Sequence, residues 1–254
     1  MKNKLNSKVD VRQAAELIRN SGSMIAFTGA GISVESGIPP FRGPEGLWSR
    51  YDPQCLDLDF FHSHPKESWT AIKAIFYDFF GKAEFNQAHR VLADFETKGL
   101  LKALVTQNID NLHQMAGSKN VLEFHGNSQK MICPVCDRLY LPNEVDLNKL
   151  PPRCIHDGEV LKPDFVFFGE GIPENAYRKS LLAARMTDLV LIIGTTGEVM
   201  PAAMIPNEAK RAGAVIIEIN TEPSNYTHRI TDIFLQGKAS EILGELEKVI
   251  FPKK

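Results

Sequence analysis

Apolar positions between residues 7 and 20 recur at helical spacing. Val11, Ala14, Ala15 and Ile18 share one face, and Ser7 and Asp10 precede them at capping-box distance. This predicts an amphipathic helix over 7–20. After the break at Ser21-Gly22, the unbroken apolar run Met24-Ile25-Ala26-Phe27 predicts a short buried strand that ends in Thr28-Gly29-Ala30-Gly31. Comparable runs at 103–105, 189–193, 215–219 and 233–235, with helical segments between several of them, predict further buried strands. Alternation of this kind gives an α/β fold: a Rossmann-like parallel sheet with helices on both faces. The last helix, 240–250, places Ile242, Leu243, Leu246, Val249 and Ile250 on one stripe, so the chain is expected to end as packed structure.

Two stretches break the alternation. Residues 51–85 are aromatic-rich and mostly helical in pattern, and residues 127–164 hold three of the four cysteines with little apolar periodicity. Both read as insertions that together form a smaller module, leaving 1–50, 86–126 and 165–254 to the Rossmann-like domain. With 254 residues, 43% of them hydrophobic, the chain is long enough for a substantial core. Its 29 basic and 31 acidic residues balance to a net charge of −2, which gives no overall field for nucleic acid or an anionic membrane. The first twenty residues carry no apolar stretch long enough for a signal peptide or a membrane span, so a cytoplasmic location is expected. In that setting the spacing of Cys133, Cys136 and Cys154 argues for metal or redox chemistry over disulfides.

Three segments carry candidate chemistry. Gly29-Ala30-Gly31-Ile32-Ser33 follows a strand and lets backbone N–H groups approach a pyrophosphate. The full dinucleotide fingerprint would have glycine at position 34, where Val34 stands, so a plain strand-to-helix turn is the competing reading. The continuation to Gly43 adds Phe41 and the phosphate-capable Arg42. Thr106-Gln107-Asn108-Ile109-Asp110 follows another strand, with amides and a carboxylate able to grip a ribose hydroxyl and a carboxamide; a helix N-cap at Asn108 or Asp110 is the alternative. His125, between Phe124 and Gly126, lies a short distance downstream.

The ordered set of Gly-Ala-Gly-Ile-Ser with Ser-Gly-Ile-Pro-Pro-Phe-Arg-Gly (29–43), Thr-Gln-Asn-Ile-Asp (106–110), His-Gly (125–126), a Cys-x-x-Cys module, Phe-Phe-Gly-Glu (167–170), Gly-Thr-Thr (194–196) and Ile-Asn (219–220) resembles the sirtuin family over nearly the whole chain. Its bacterial and archaeal deacylases look nearest. The resemblance implies that Gly29, Ala30, Gly31, Ser33 and Val34 surround phosphate and ribose, with Arg42 on the cofactor and Phe41 shielding the nicotinamide ribose. It places Gln107 on ribose, Asn108, Ile109 and Asp110 around nicotinamide, Gly194, Thr195 and Thr196 at phosphate or adenosine ribose, Asn220 at the adenosine ribose, and Lys238-Ala239 beside adenine. Val166, Phe167, Phe168 and Gly169, with the segment holding Val199, would pair with an extended acyl-lysine peptide by strand addition. Gly197-Glu198 departs from the more usual apolar residues there.

The implied reaction consumes NAD as a co-substrate. Acyl-lysine oxygen attacks the carbon bearing nicotinamide, which departs to leave an imidate; neutral His125 takes a proton from a ribose hydroxyl, whose oxygen attacks the imidate, and water finally yields free lysine and acyl-ADP-ribose. An NAD glycohydrolase or mono-ADP-ribosyltransferase is the alternative, with water or a protein nucleophile in place of the acyl oxygen. The expected partners are acyl-lysine proteins, with no direct nucleic acid and no membrane.

Cys133-Pro134-Val135-Cys136 followed by Cys154 resembles a zinc ribbon in which the family pattern has cysteine at 157. This chain has Asp157, preceded by His156. Position favours Asp157 as fourth ligand and softness favours His156, while a degenerate module without metal is the competing reading. Any zinc is expected to be structural. Residues 51–85 contain no arginine to clamp an acidic acyl group, and some of Phe60, Phe61, Trp69, Phe76, Tyr77, Phe79 and Phe80 are expected to line a channel for neutral acyl chains, the rest forming a core.

Overall fold

The computed structural model describes residues 2–41, 43 and 46–252, with side chains from residue 10 onward except at 79 and 80. In chain order, helix α1 (Lys2–Asn20) leads to β1 (Met24–Thr28), α2 (Leu58–Ser63), α3 (Pro65–Ile72), α4 (Gln87–Thr97), β2 (Leu101–Thr106), α5 (Leu112–Met115) and β3 (Val121–Glu123). There follow β4 (Gly126–Ile132), β5 (Leu139–Tyr140), β6 (Lys162–Phe165), α6 (Glu174–Met186), β7 (Leu189–Ile193), α7 (Met204–Arg211), β8 (Val215–Asn220), β9 (Ile233–Gln236) and α8 (Ala239–Ile250).

Six strands form one sheet in the order β3-β2-β1-β7-β8-β9, every pair parallel. The chain fills one half outward from β1 and then returns to β1's other side with β7. That is the Rossmann order, and its switch point lies between β1 and β7, where a crevice opens beyond the carboxyl ends of the strands. Both faces of the strands are apolar because both are covered. One face packs Leu104, Leu191 and Ile217 against Val11, Ile18, Leu92, Phe95, Leu243 and Leu246 of α1, α4 and α8. The other packs Phe27, Val105, Val190 and Ile192 against Ala184, Ile205 and Ala209 of α6 and α7.

The smaller module joins the three-stranded antiparallel sheet β5-β4-β6 to α2 and α3 over a third core holding Phe61, Trp69, Phe76, Phe165 and Phe167. Trp69 is fully enclosed and donates its Nε1–H to the Leu161 carbonyl at 2.8 Å, stitching the helical insertion to the cysteine-bearing one.

Two expectations need correction. Helix α1 begins at Lys2, so Ser7 lies inside it and not at its N-cap position; residues 2–6 contain neither proline nor glycine to stop the helix extending backward. Phe61, Trp69 and Phe76 are core residues, and of the seven aromatics considered for an acyl channel, none whose side chain is described lines the main cavity; the side chains of Phe79 and Phe80 lie outside the described residues.

Candidate active site and metal centre

A cavity of about 700 Å³ occupies the switch-point crevice and extends between the two modules. Its floor is set by glycines. A Cβ on Gly31 would come within 2.6 Å of Gly194 Cα, and one on Gly194, which has φ +64°, within 2.4 Å of Ile32 N. The loops after β1 and β7 therefore meet backbone to backbone, joined by Gly29 N–H to Ile193 O (3.0 Å) and Gly31 N–H to Gly194 O (2.8 Å). These glycine amides are engaged within the protein. The Ala30 N–H opens the following helical turn (Ala30–Ser36) and has no acceptor among the described residues, so it is the amide of this stretch left for an anion.

Beneath that turn lies a directed chain of side chains. Asn108 Nδ2 donates to Ser33 Oγ (3.2 Å) and to Gly29 O (3.2 Å), and Ser33 Oγ donates to Asp110 Oδ2 at 2.7 Å. Asp110 Oδ1 also accepts from Leu112 N–H at 3.0 Å, satisfying the first amide of α5, but the N-cap itself is Asn111, in the left-handed conformation, and not Asn108 or Asp110 as the sequence alternative had it. Burial pushes the Asp110 carboxyl above the usual carboxylate range, opposed by the Ser33 hydroxyl and the Leu112 amide.

Sequence reasoning missed the support below. His89 accepts from Asn86 N–H at Nδ1 (3.2 Å), which leaves its Nε2–H facing Ser33 Oγ at 3.4 Å; burial drives this imidazole down to about 4, so it stays neutral. His113 is enclosed beside it with ring centroids 4.8 Å apart, and its Nε2 meets Thr28 Oγ1 at 3.0 Å. The one available signal was Asn86-x-x-His89 ahead of an apolar helix, an unusual capping box that the structure contains.

His125 is half-buried on the cavity wall. Its Nδ1 lies 3.0 Å from the Gln107 carbonyl, an acceptor only, so Nδ1 carries the hydrogen and the neutral ring keeps its lone pair on Nε2. Burial lowers the pKa of this imidazole below its ordinary value, and the Gln107 carbonyl opposes the shift. Gln107 in turn donates Nε2–H to Thr195 Oγ1 at 3.0 Å, joining the β2 and β7 loops. Ile109 also lines the cavity, packing into the small-module core.

Thr195, Thr196, Asn220, Lys238 and Ala239 line the cavity toward β8 and α8, as do Gly194 and Val34. Ser240 N–H at the start of α8 donates to Glu35 Oε2 at 2.9 Å, tying the helix to the turn after β1. Phe41 lines the opposite side against Trp48, ring centroids 5.4 Å apart. Ser33 and Asp110 stand behind the lining. Arg42, expected on the cofactor, lies outside the described residues.

Val166, Phe167, Phe168, Gly169 and Val199 border the cleft between the modules. The Phe168 N–H donates to Leu56 O (2.8 Å) and its carbonyl accepts from Leu58 N–H (3.0 Å), so its backbone already belongs to a bridge within the protein. The segment is held by the buried Lys162, which donates to Phe165 O at 2.6 Å, pairs with Glu170 at 2.9 Å and lies 4.4 Å from the Phe167 ring centroid.

The ribbon contains two matching knuckles. Cys133 N–H bonds Arg138 O (3.0 Å) and Asp137 N–H bonds Cys133 O (3.0 Å); Cys154 N–H bonds Glu159 O (2.8 Å) and Gly158 N–H bonds Cys154 O (2.9 Å). Asp157 therefore occupies in the second knuckle the place of Cys136 in the first. Ligand atoms of Cys133, Cys136, Cys154 and Asp157 lie within 4.8 Å of one another, and His156 is not among them. Cys136 and Cys154 Sγ are 3.7 Å apart and Cys133 Sγ is 3.3 Å from Asp157 Oδ2. A tetrahedral zinc with bonds of about 2.3 Å to sulfur and about 2.0–2.2 Å to oxygen needs edges of roughly 3.8 Å between sulfurs and roughly 3.5 Å from sulfur to oxygen. These two pairs match those edges to about 0.2 Å, and the remaining separations, none above 4.8 Å, need only contract to enclose such an ion.

A sequence profile described as the Sir2 family matches residues 29–201. The chain is 43% identical over 248 residues to an NAD-dependent protein deacylase of Pyrococcus furiosus, covering 94% of this chain and 97% of that protein. It is 44% identical over 237 residues to an NAD-dependent protein deacetylase of Caldivirga maquilingensis, covering 91% and 90%. Among solved structures, a Sir2 variant with deacetylated p53 peptide and 3′-O-acetyl ADP-ribose superposes with a TM-score of 0.89 at 34% identity, covering 94% of this chain and 97% of that one. A Sir2 complex with p53 peptide and NAD gives 0.86 at 34% identity, covering 93% and 96%.

Proposed function

This chain belongs to the Sir2 family, and from that premise we propose that its cleft removes acyl groups from protein lysines with NAD as co-substrate, His125 serving as the general base. The observation that carries the assignment is the tautomer of His125. With Nδ1–H committed to the Gln107 carbonyl, Nε2 is the nitrogen that takes a proton, and burial keeps the ring neutral at physiological pH.

When bound, NAD supplies a ribose carbon that exchanges nicotinamide for the acyl oxygen and finally carries the acyl group away as acyl-ADP-ribose. The chain's residues bind and orient. Ala30 N–H and the Gly194-Thr195-Thr196 loop face the phosphates, and Asn220, Lys238 and Ala239 face the adenosine half. Asn108, held by Gly29 O and Ser33, and Asp110, held by Ser33 and Leu112, form the polar wall for nicotinamide's carboxamide, with Ile109 as its apolar side. Phe41 covers the nicotinamide ribose, and His125 Nε2 accepts a proton from a hydroxyl of that ribose. An extended peptide enters between 166–169 and the Val199 segment, where Gly169 remains for backbone pairing and Phe168 contributes its exposed ring.

Zinc would be held by Cys133, Cys136, Cys154 and Asp157, fixing the ribbon without entering the reaction. Replacing His125 with alanine tests the catalytic assignment. Deacylation of an acetyl-lysine peptide should fall by about 10²–10⁴-fold while ADP-ribose still binds and the melting temperature holds. Near wild-type turnover would refute it.

A further inference from the structure

Glu218 lies in β8, two residues before Asn220, so the two side chains project from the same face of the strand. Glu218 is fully enclosed (0% exposed), and no cation pairs with it among the described residues. Donors surround it instead: Thr227 Oγ1 at 2.9 Å, Thr231 Oγ1 at 2.7 Å and Asn220 Nδ2 at 3.0 Å. Burying a carboxylate is costly without such partners, so a position in the middle of an apolar strand calls for a reason beyond packing.

Asn220 supplies that reason. Its Nδ2 donates to the Glu218 carboxylate and, at 3.0 Å, to the Thr195 carbonyl, so both of its hydrogens are engaged. Both acceptors lack a hydrogen to give. Flipping the amide would set Oδ1 against two oxygens, so only one orientation is allowed. In that orientation Oδ1 is the unengaged atom of a residue on the cavity wall. An acceptor held there matches a hydroxyl donor and opposes a phosphate ester, which brings only oxygens.

We infer that Glu218 is a positioning residue that locks the Asn220 carboxamide, so that the adenosine-ribose end of the cleft accepts an unmodified ribose hydroxyl and refuses a phosphorylated one. This rests on the reading of NAD as co-substrate. Thr227 and Thr231 belong to the loop between β8 and β9, whose first residues, Thr221–Ser224, also border the cavity, so the same carboxylate anchors that rim.

The test compares wild type with Glu218→Gln, varying NAD and then NADP at saturating acetyl-lysine peptide. A glutamine amide can donate as well as accept, so one of the two constraints on the Asn220 amide is lost and the Thr195 carbonyl alone is left to orient it. KM for NAD should rise by about tenfold. The kcat and the KM for peptide should stay within about twofold. The preference for NAD over NADP should narrow. In an Asn220→Ala background, Glu218→Gln should change KM for NAD no further. Thr231→Val removes a hydrogen bond to Glu218 without touching Asn220 or the cavity rim and should lower the melting temperature while leaving KM for NAD unchanged. An unchanged KM in Glu218→Gln, or an equal rise in Thr231→Val, overturns the inference. If Glu218→Gln does not fold, Glu218→Asp, which withdraws the carboxylate from the Asn220 amide by one methylene, must show the same narrowed preference, and an unaltered preference overturns the inference. Absence of NAD-dependent deacylation in wild type would instead overturn the functional reading itself.

Discussion

The crevice at the switch point and the cysteine ribbon are both clusters of polar groups gathered from distant parts of the chain, but they are completed differently. In the crevice the chain satisfies itself: Asn108 donates to Ser33, Ser33 donates to Asp110, and the glycine loops after β1 and β7 bond each other directly. In the ribbon three sulfurs and a carboxylate converge chiefly on one another, at separations that suit a shared ion better than mutual hydrogen bonds. The cofactor site is thus preorganised by protein, whereas the ribbon brings together a ligand set suited to a shared ion.

Breaking the ribbon should have the larger effect on folding. Chelation, or Cys133→Ala, should release about one zinc per chain and unfold the 127–164 segment, because structural zinc contributes directly to folding free energy. Metal analysis with thermal unfolding checks this; a metal-free protein with full stability would show that Asp157 has retired the site. Asp157→Cys should retain zinc and hold it at least as tightly.

In the crevice, Gly194→Ala should destabilise by about 1–3 kcal/mol from overpacking, since the new Cβ meets backbone it cannot displace. A further ~1–2 kcal/mol comes from the left-handed conformation. Denaturant unfolding and ADP-ribose affinity should both register it.

A subtler change follows pH. His125 acts as a base only when neutral, and burial places its pKa below the ordinary value of 6.5. As pH falls through that lowered pKa, Nε2 becomes protonated and kcat/KM drops. The acidic limb therefore lies below pH 6.5, and rates near neutrality stay flat; a limb at or above the ordinary imidazole value would contradict the burial argument.

The smallest expected effect concerns the acyl group. Phe41, Trp48, Leu56, Ile109 and Met200 supply apolar cavity wall, and the one lysine on the lining, Lys238, belongs to its adenosine end. Among the described residues nothing clamps an acidic acyl chain. Acetyl and longer neutral chains should outperform succinyl, each additional buried methylene adding about 0.8 kcal/mol of binding. Matched acetyl, succinyl and myristoyl peptides decide it, with succinyl as best substrate refuting the reading.

Much of the sheet was legible because buried parallel strands appear as short apolar runs, and all five runs noted at the outset became strands. The cleft's polar residues were legible because they sit at the ends of those runs, where the fold exposes them. Other features were hidden for physical reasons. The antiparallel sheet β5-β4-β6 was hidden because its longest strand, β4, is polar from Gly126 to Lys130 and its partners β5 and β6 have only two and four residues, so no apolar period announces it. Glu218 and His113 are polar residues inside apolar surroundings, and only tertiary contacts reveal their partners, whereas His89 had a local signal in its capping box with Asn86. The choice between Asp157 and His156 turned on the repeat of the knuckle, a backbone property that ligand softness does not see.

The central claim, that this cleft joins NAD cleavage to lysine deacylation, is tested most directly by product balance. Purified protein incubated with NAD and an acetyl-lysine peptide should yield deacetylated peptide, nicotinamide and O-acetyl-ADP-ribose in equal amounts by mass spectrometry. Free ADP-ribose, or ADP-ribosylated protein, accumulating beside an untouched acetyl peptide would contradict it.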